Sequence, residues 1–181
     1  MKKLLLFALA FFLIIFNAVA GTDHSIETKT SKIEWKGHKA SGSHSGTLLF
    51  KEGNVTIEDG KITAGEVVVD MNTLKVTDLK GEWGTKLEGH LKASDLFDAK
   101  QYPTASLKIK SVLNKEANQV VTADLNMHGK THEVTFEATV HDHHIDAKAS
   151  IKQFLFGITY TGKSDDQIKD GFDLNIHIDL K

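Results

Sequence analysis

The stretch Thr85–Ile109, TKLEGHLKASDLFDAKQYPTASLKI, changes period halfway along and holds the only proline of the chain. Leu87 and Leu91 stand four residues apart, the spacing of one helix face, and Ser94 precedes Asp95-Leu96-Phe97 as an N-cap would. Pro103 then opens an alternating run in which Ala105, Leu107 and Ile109 share one face. A short helical layer feeds a strand, so a helical segment is expected between about residues 73 and 100 of an otherwise β chain.

Upstream the period is two. Ile33 and Trp35 fall on one side of a run whose other side is Lys32, Glu34 and Lys36. The polar stretch His38 to Gly46 reads as a loop or bend. Strand signals follow over 47–51, 55–58 and 62–71, with Glu52-Gly53-Asn54 and Asp59-Gly60 as turns and Asn72 to Gly84 as a polar connection. Beyond Pro103, strands are expected over 104–112, 119–127, 132–141, 144–153 and 171–180. Val134, Phe136, Ala138 and Val140 alternate with Thr135, Glu137 and Thr139. Phe172, Leu174, Ile176 and Ile178 do the same. Roughly eight half-apolar strands with tight connections favour consecutive antiparallel pairing, and closure into a barrel removes exposed edges. A two-sheet sandwich is the alternative.

The chain opens Met1-Lys2-Lys3, runs through uncharged apolar residues from Leu4 to Phe16, and reaches Ala18-Val19-Ala20, a small-x-small cleavage pattern. Residues 1–20 read as a removable export signal, since a membrane span needs about 20 apolar residues. Residues 21–181 are then one domain, exported and soluble, with the periplasm as destination in a Gram-negative bacterium. The formal net charge is −2, and no basic patch points to nucleic acid. Cysteine is absent, which excludes disulfides, thiol nucleophiles and thiolate metal sites.

Several inward positions carry alanine where a packed core favours larger groups: Ala105, Ala123, Ala138, Ala147 and Ala149. Eight-stranded barrels stand near the size at which the interior either fills with side chains or holds one small ligand. A ligand cavity is one reading, and close approach of strands at small residues is the other.

The segments His90-Leu91-Lys92, Asp95, Phe97-Asp98, Tyr102-Pro103 and Ala105 resemble, in order and spacing, the signature of the YceI-like family of periplasmic lipid-binding proteins. Trp35-Lys36-Gly37-His38, Val69-Asp70-Met71 and Ala123 to Val134 extend the resemblance over the mature chain. Ser106-Leu107 departs from it, because phenylalanine is frequent there. The resemblance implies a lipocalin-like, eight-stranded antiparallel barrel enclosing a long apolar ligand: a polyisoprenoid, an isoprenoid quinone or a fatty-acid derivative. The resemblance implies a binding protein rather than an enzyme, with no required cofactor, and the chain is read as a monomer or a homodimer. Candidate lining or lid residues are Trp35, Phe50, Val69, Met71, Trp83, Leu87, Leu91, Phe97, Tyr102, Leu107, Leu125, Phe136, Phe154, Phe156 and Phe172, each with ordinary core packing as the competing reading.

Ten histidines invite a metal reading at His141-Asp142-His143-His144 and at His128 with His132. Both groups fall at expected hairpin turns, so no metal site is assigned. Gly42-Ser43-His44-Ser45-Gly46 puts histidine where a nucleophile elbow needs serine, and His132-Glu133-Val134-Thr135-Phe136 lacks a second histidine. The runner-up function is a periplasmic metal-binding or protein-interaction barrel with a packed interior.

Overall fold

The computed structural model describes residues 21–181, and the proposed signal segment lies outside them. In chain order the elements are β1 (Thr22–Ser25), β2 (Lys32–Lys39), β3 (Gly42–Glu58), β4 (Lys61–Val76), α1 (Gly81–Leu91), β5 (Thr104–Asn114), β6 (Gln119–Met127), β7 (Lys130–His141), β8 (His144–Lys152), a 3-10 turn (Gln153–Phe156), β9 (Gly162–Lys163) and β10 (Asp166–Asp179). Strands β3-β2-β10-β8-β7-β6-β5-β4 pair in that order, and β4 returns to β3, closing an eight-stranded antiparallel barrel. The short β1 adds to β3 outside the ring, at 54–57 where β2 no longer covers it. Closure leaves no barrel strand as a full edge, and where β4 and β5 part beyond Glu66 and Lys108 the Gln119 side chain bonds the Ile62 backbone in place of a strand.

Four expectations about local structure need correction. The presumed loop from His38 to Gly46 is almost all strand: only Ala40 and Ser41 turn, and Lys39 already pairs with Gly42. Ladder bonds extend a strand past its last apolar residue, because backbone pairing is indifferent to side-chain polarity. Glu52-Gly53-Asn54 is not a turn either, since β3 runs through it with a register shift between Phe50 and Glu52. Gly53 marks close approach instead: a Cβ there would stand 2.8 Å from Val67 Cγ1. The connection expected to begin at Asn72 begins at Thr77, because β4 continues to Val76. Ser94 caps no helix. α1 ends at Leu91, and the chain reaches Pro103 through successive turns in which Phe97 N–H donates to Leu91 O and Asp98 N–H to Ala93 O. Burial of Leu96 and Ala99 fixes that compact path.

The two ends of the barrel differ. At one end Ile26 bridges to Leu180, and Leu180 N–H donates to His143 O in the β7–β8 turn. Gln119 seals the interior there, with its amide exchanging bonds of 2.9 and 3.0 Å with the Ile62 backbone. At the other end α1, the 92–103 segment and the 3-10 turn lie over the mouth. Glu88 anchors α1 by accepting from Val76 N–H at 3.0 Å, and that bond is the main reason its carboxyl titrates below the usual range.

A candidate ligand cavity

Inward-facing residues of β2 to β8 and β10, with Leu87, Leu91 and Phe97 from the lid, surround a cavity of about 350 Å³. That volume lies within the roughly 300–1,000 Å³ of small-molecule sites. The walls are aliphatic and aromatic. Ala105, Ala138 and Ala147 line the hollow as small residues that leave it open. Ala123, fully buried, lies outside it, among the side chains packed around it.

Eleven of the fifteen candidate residues surround this space: Trp35, Phe50, Val69, Met71, Leu87, Leu91, Phe97, Leu107, Leu125, Phe136 and Phe172. Four do not. Trp83 is 72% exposed on the outer face of α1, under Lys86. Tyr102 packs on His128 and over Gly129, beside the β6–β7 turn. Phe154 points outward from the 3-10 turn, and Phe156 is fully buried against His132, behind the wall rather than in it. The candidate aromatics on strands, Trp35, Phe50, Phe136 and Phe172, all line the hollow, whereas of those off the strands only Phe97 does, because no alternation defines which way they face. Leu48, Leu74, Leu174 and Ile176 also line the cavity. Alternation marked Leu174 and Ile176 as inward, but aliphatic strand residues do not distinguish lining from core.

The titratable side chains among the cavity-lining residues, Lys39, His38 and His44, are each paired with a carboxylate. Lys39 Nζ lies 2.6 Å from Asp166, His38 Nε2 2.8 Å from Asp173, and His44 Nδ1 2.8 Å from Asp78. The Lys39 hydrogen bond, helped by Ser41, holds the Asp166 carboxyl down to about 2. His38 likewise lowers Asp173. Burial pushes Asp78 up, but bonds from His44 and Ser45 N–H outweigh it and the net shift is downward. Asp166 also ties the β9–β10 hairpin to the β2–β3 turn, since it accepts from Ser41 N–H at 2.9 Å while Ala40 N–H donates to Gln167 O.

Two buried side-chain nitrogens have no partner among the described residues: Trp35 Nε1 and Gln153 Nε2. Among the described residues the other buried polar side chains, Ser31 and Gln119, are both bonded. Gln153 was not a sequence candidate, because a glutamine after a strand carries no signal of burial.

Histidines also gather outside the barrel at its closed end. The register of β8 against β10 sets His144 opposite Asp179 and Asp146 opposite His177. His177 donates to Asp146 at 2.8 Å and lies 3.1 Å from Asp179, and it stacks on His144 at 5.7 Å. His144, His177 and Asp179 bring their ligating atoms within 4.8 Å of one another. The residues suspected from sequence differ, as only His144 of the 141–144 run takes part. Mutual ion pairing already accounts for this grid.

An antiparallel barrel closed around an apolar hollow, with a lidded mouth, is the architecture of a small-molecule binding barrel. The YceI-like domain model matches residues 24–180, and the chain belongs to the YceI-like family. That family is one of binding proteins and is not known for enzymes. A UPF0312 protein of Pseudomonas putida is 35% identical over 113 residues, 59% of this chain and 55% of that protein. A UPF0312 protein of Vibrio cholerae is 28% identical over 141 residues, 76% of this chain and 72% of that one. The chain thus spans about half the length of the Pseudomonas relatives it matches. Among solved structures, Burkholderia cenocepacia BcnA shares the fold with a TM-score of 0.73 at 20% identity, over 84% of this chain and 98% of that one. The Campylobacter jejuni YceI protein does so at 0.52 and 16%, over 73% and 83%.

Proposed function

We propose that this protein holds one long apolar molecule, a polyisoprenoid, an isoprenoid quinone or a fatty-acid derivative, inside its barrel for transport, storage or stress protection. The observation that carries the reading is the 350 Å³ hollow walled by aliphatic and aromatic side chains. Each methylene moved from water into such a wall contributes about 0.8 kcal/mol before ordering costs. A chain of that kind needs a water-filled compartment to be carried through, which fits removal of residues 1–20 and residence in the periplasm. Among the described residues no helix is long and apolar enough to cross a membrane. No protein cofactor enters this reading, and the histidines and carboxylates at the mouth serve to pair one another rather than to do chemistry.

Native mass spectrometry of the exported protein, followed by solvent extraction, tests the proposal. The expected result is a stoichiometric mass excess that extraction releases as a long-chain lipid. A protein that carries nothing from the cell and takes up no lipid when offered it would overturn the reading.

A further inference from the structure

We propose that His144, His177 and Asp179 hold one divalent transition-metal ion of the zinc, nickel or copper class on the outer face of the closed end, with Asp146 as the carboxylate that positions His177. The site is separate from the cavity. Its residues come from one ladder: His144 and Asp146 stand on the outward face of β8, directly across from Asp179 and His177 on β10. Side chains at i and i+2 of a strand share a face, so the register by itself brings the four together.

The hydrogen bonds leave a lone pair in a particular place. Both nitrogens of His177 face carboxylate oxygen: Nδ1 lies 2.8 Å from Asp146 Oδ1, and Nε2 lies 3.1 Å from Asp179 Oδ1. A neutral imidazole has one N–H and one lone pair, so it can donate to only one of them. With Nδ1–H on Asp146, Nε2 sets its lone pair against an oxygen, and either a second proton or a cation has to stand between the two. Protonated, the grid pairs its own charges. A proton engages only two atoms, however, and here there is a third: His144 Nδ1 closes on the same Asp179 oxygen at 2.5 Å, so that two imidazoles and a carboxylate converge.

Donor set and surroundings select the ion. Two imidazoles with one carboxylate suit zinc, nickel and copper, whereas calcium and magnesium take oxygen ligands. Bonds of about 2.0–2.2 Å to nitrogen and oxygen put the ligand atoms of a tetrahedral zinc roughly 3.3 Å apart. The Nε2 to Asp179 distance is already near that, and His144, half exposed at the start of β8, has to swing outward by about 1 Å or less. The Asp146 bond fixes His177 in the tautomer whose Nε2 can ligate, the part that outer carboxylates play behind metal-bound histidines. Lys32 faces His177 from β2, but its ammonium is tied to Glu34 at 2.7 Å. An ion held there bridges β8 to β10, and its remaining coordination positions open to solvent.

Zinc titration of the untagged protein, stripped with EDTA and held at about pH 7.5 so that the imidazoles are free to ligate, tests this by competition with a chelating indicator and by NMR. One equivalent is expected to bind and to shift the ring resonances of His144 and His177 together, while those of His38 and His128, which face other partners, stay in place. Asp146→Asn should weaken zinc by about tenfold or more, the scale of losses behind a metal-bound histidine, and His177→Gln should weaken it further. His143→Gln, in the adjoining turn, should leave the affinity within about twofold, as a surface substitution outside the site. Zinc that binds without a saturating equivalent, or that shifts the histidines indiscriminately, would overturn the inference. So would an affinity that His177→Gln leaves unchanged or that His143→Gln lowers equally. The titration of the unsubstituted protein needs no variant, so a variant that folds poorly leaves the question decidable.

Discussion

Gly46 on β3 lies directly opposite Trp35 on β2, and the indole covers the space in which any side chain at 46 would stand. A Cβ there would meet Trp35 Cζ2 at 2.5 Å and would collide with the carbonyl of Lys75 on β4. The glycine thus lets a large ring lie flat on the inner wall near the mouth. Gly46→Ala is expected to destabilise the fold by about 1–3 kcal/mol, the range of an overpacked core, because backbone on one side and an indole on the other leave it no way to relax. Urea unfolding measures this, and an unchanged midpoint would show that the indole does not occupy that space.

The two tryptophans make a paired optical test. Trp35 is buried and Trp83 is 72% exposed. Trp83→Phe should leave a blue-shifted emission that responds to ligand, with stability within about 0.5 kcal/mol of the parent, as for surface substitutions generally. A loss of the ligand response in that variant would place the exposed ring at the site after all.

The alanines divide in the same way. Ala147→Phe projects a ring into the hollow and is expected to lower lipid occupancy while the barrel still folds, whereas Ala123→Phe must intrude on the side chains packed around it and cost about 1–3 kcal/mol. Solvent extraction and unfolding curves for the two variants separate these effects. Full occupancy in the Ala147 variant would mean that the ligand lies elsewhere.

Why the sequence carried so much of this, and where it stopped, can be read from particular residues. Alternation in β7 and β10 is strict, since Phe136 and Ala138, or Leu174 and Ile176, must all face inward for the barrel to close at all. The helical layer was legible from Leu87 and Leu91 because both point at the mouth. Gly53 and the 38–46 run misled because glycine and polar residues mark turns only when the backbone has nowhere else to bond, and here a partner strand was waiting. Gln153 was invisible for a deeper reason: burial of a polar side chain depends on what long-range packing leaves open, and no local pattern encodes that.

At the mouth, the Asp166 carboxyl is held at about 2 by Lys39 and Ser41. A depressed carboxyl contributes stability that is present above its unfolded value of 3.8 and is lost as pH falls through about 2. The tie between the β9–β10 hairpin and the β2–β3 turn should therefore persist at pH 4.5. Asp166→Asn should speed hydrogen exchange at Ser41 there without unfolding the barrel, and hasten ligand release, because Ile168 beyond it lines the cavity. Equal exchange rates in both proteins would remove this hairpin from the gate.

The opposite sign holds at the closed end. His177 titrates above its ordinary 6.5, chiefly because it donates to Asp146, with Asp179 adding to the effect against some cost of burial. A group whose folded value is raised contributes stability that is fully present below the unfolded 6.5 and disappears as pH rises through the folded value. The grid of His144, Asp146, His177 and Asp179 should therefore support the seam between β8 and β10 in mild acid and weaken in mild alkali, modestly, because these side chains meet solvent. Imidazole resonances followed by NMR should place His177 above 6.5 in the parent and lower it in Asp146→Asn. Since Asp146 is opposite His177 and far from the mouth, that substitution should leave lipid occupancy unchanged, so a coupled loss of binding would mean that the two ends of the barrel communicate through β10.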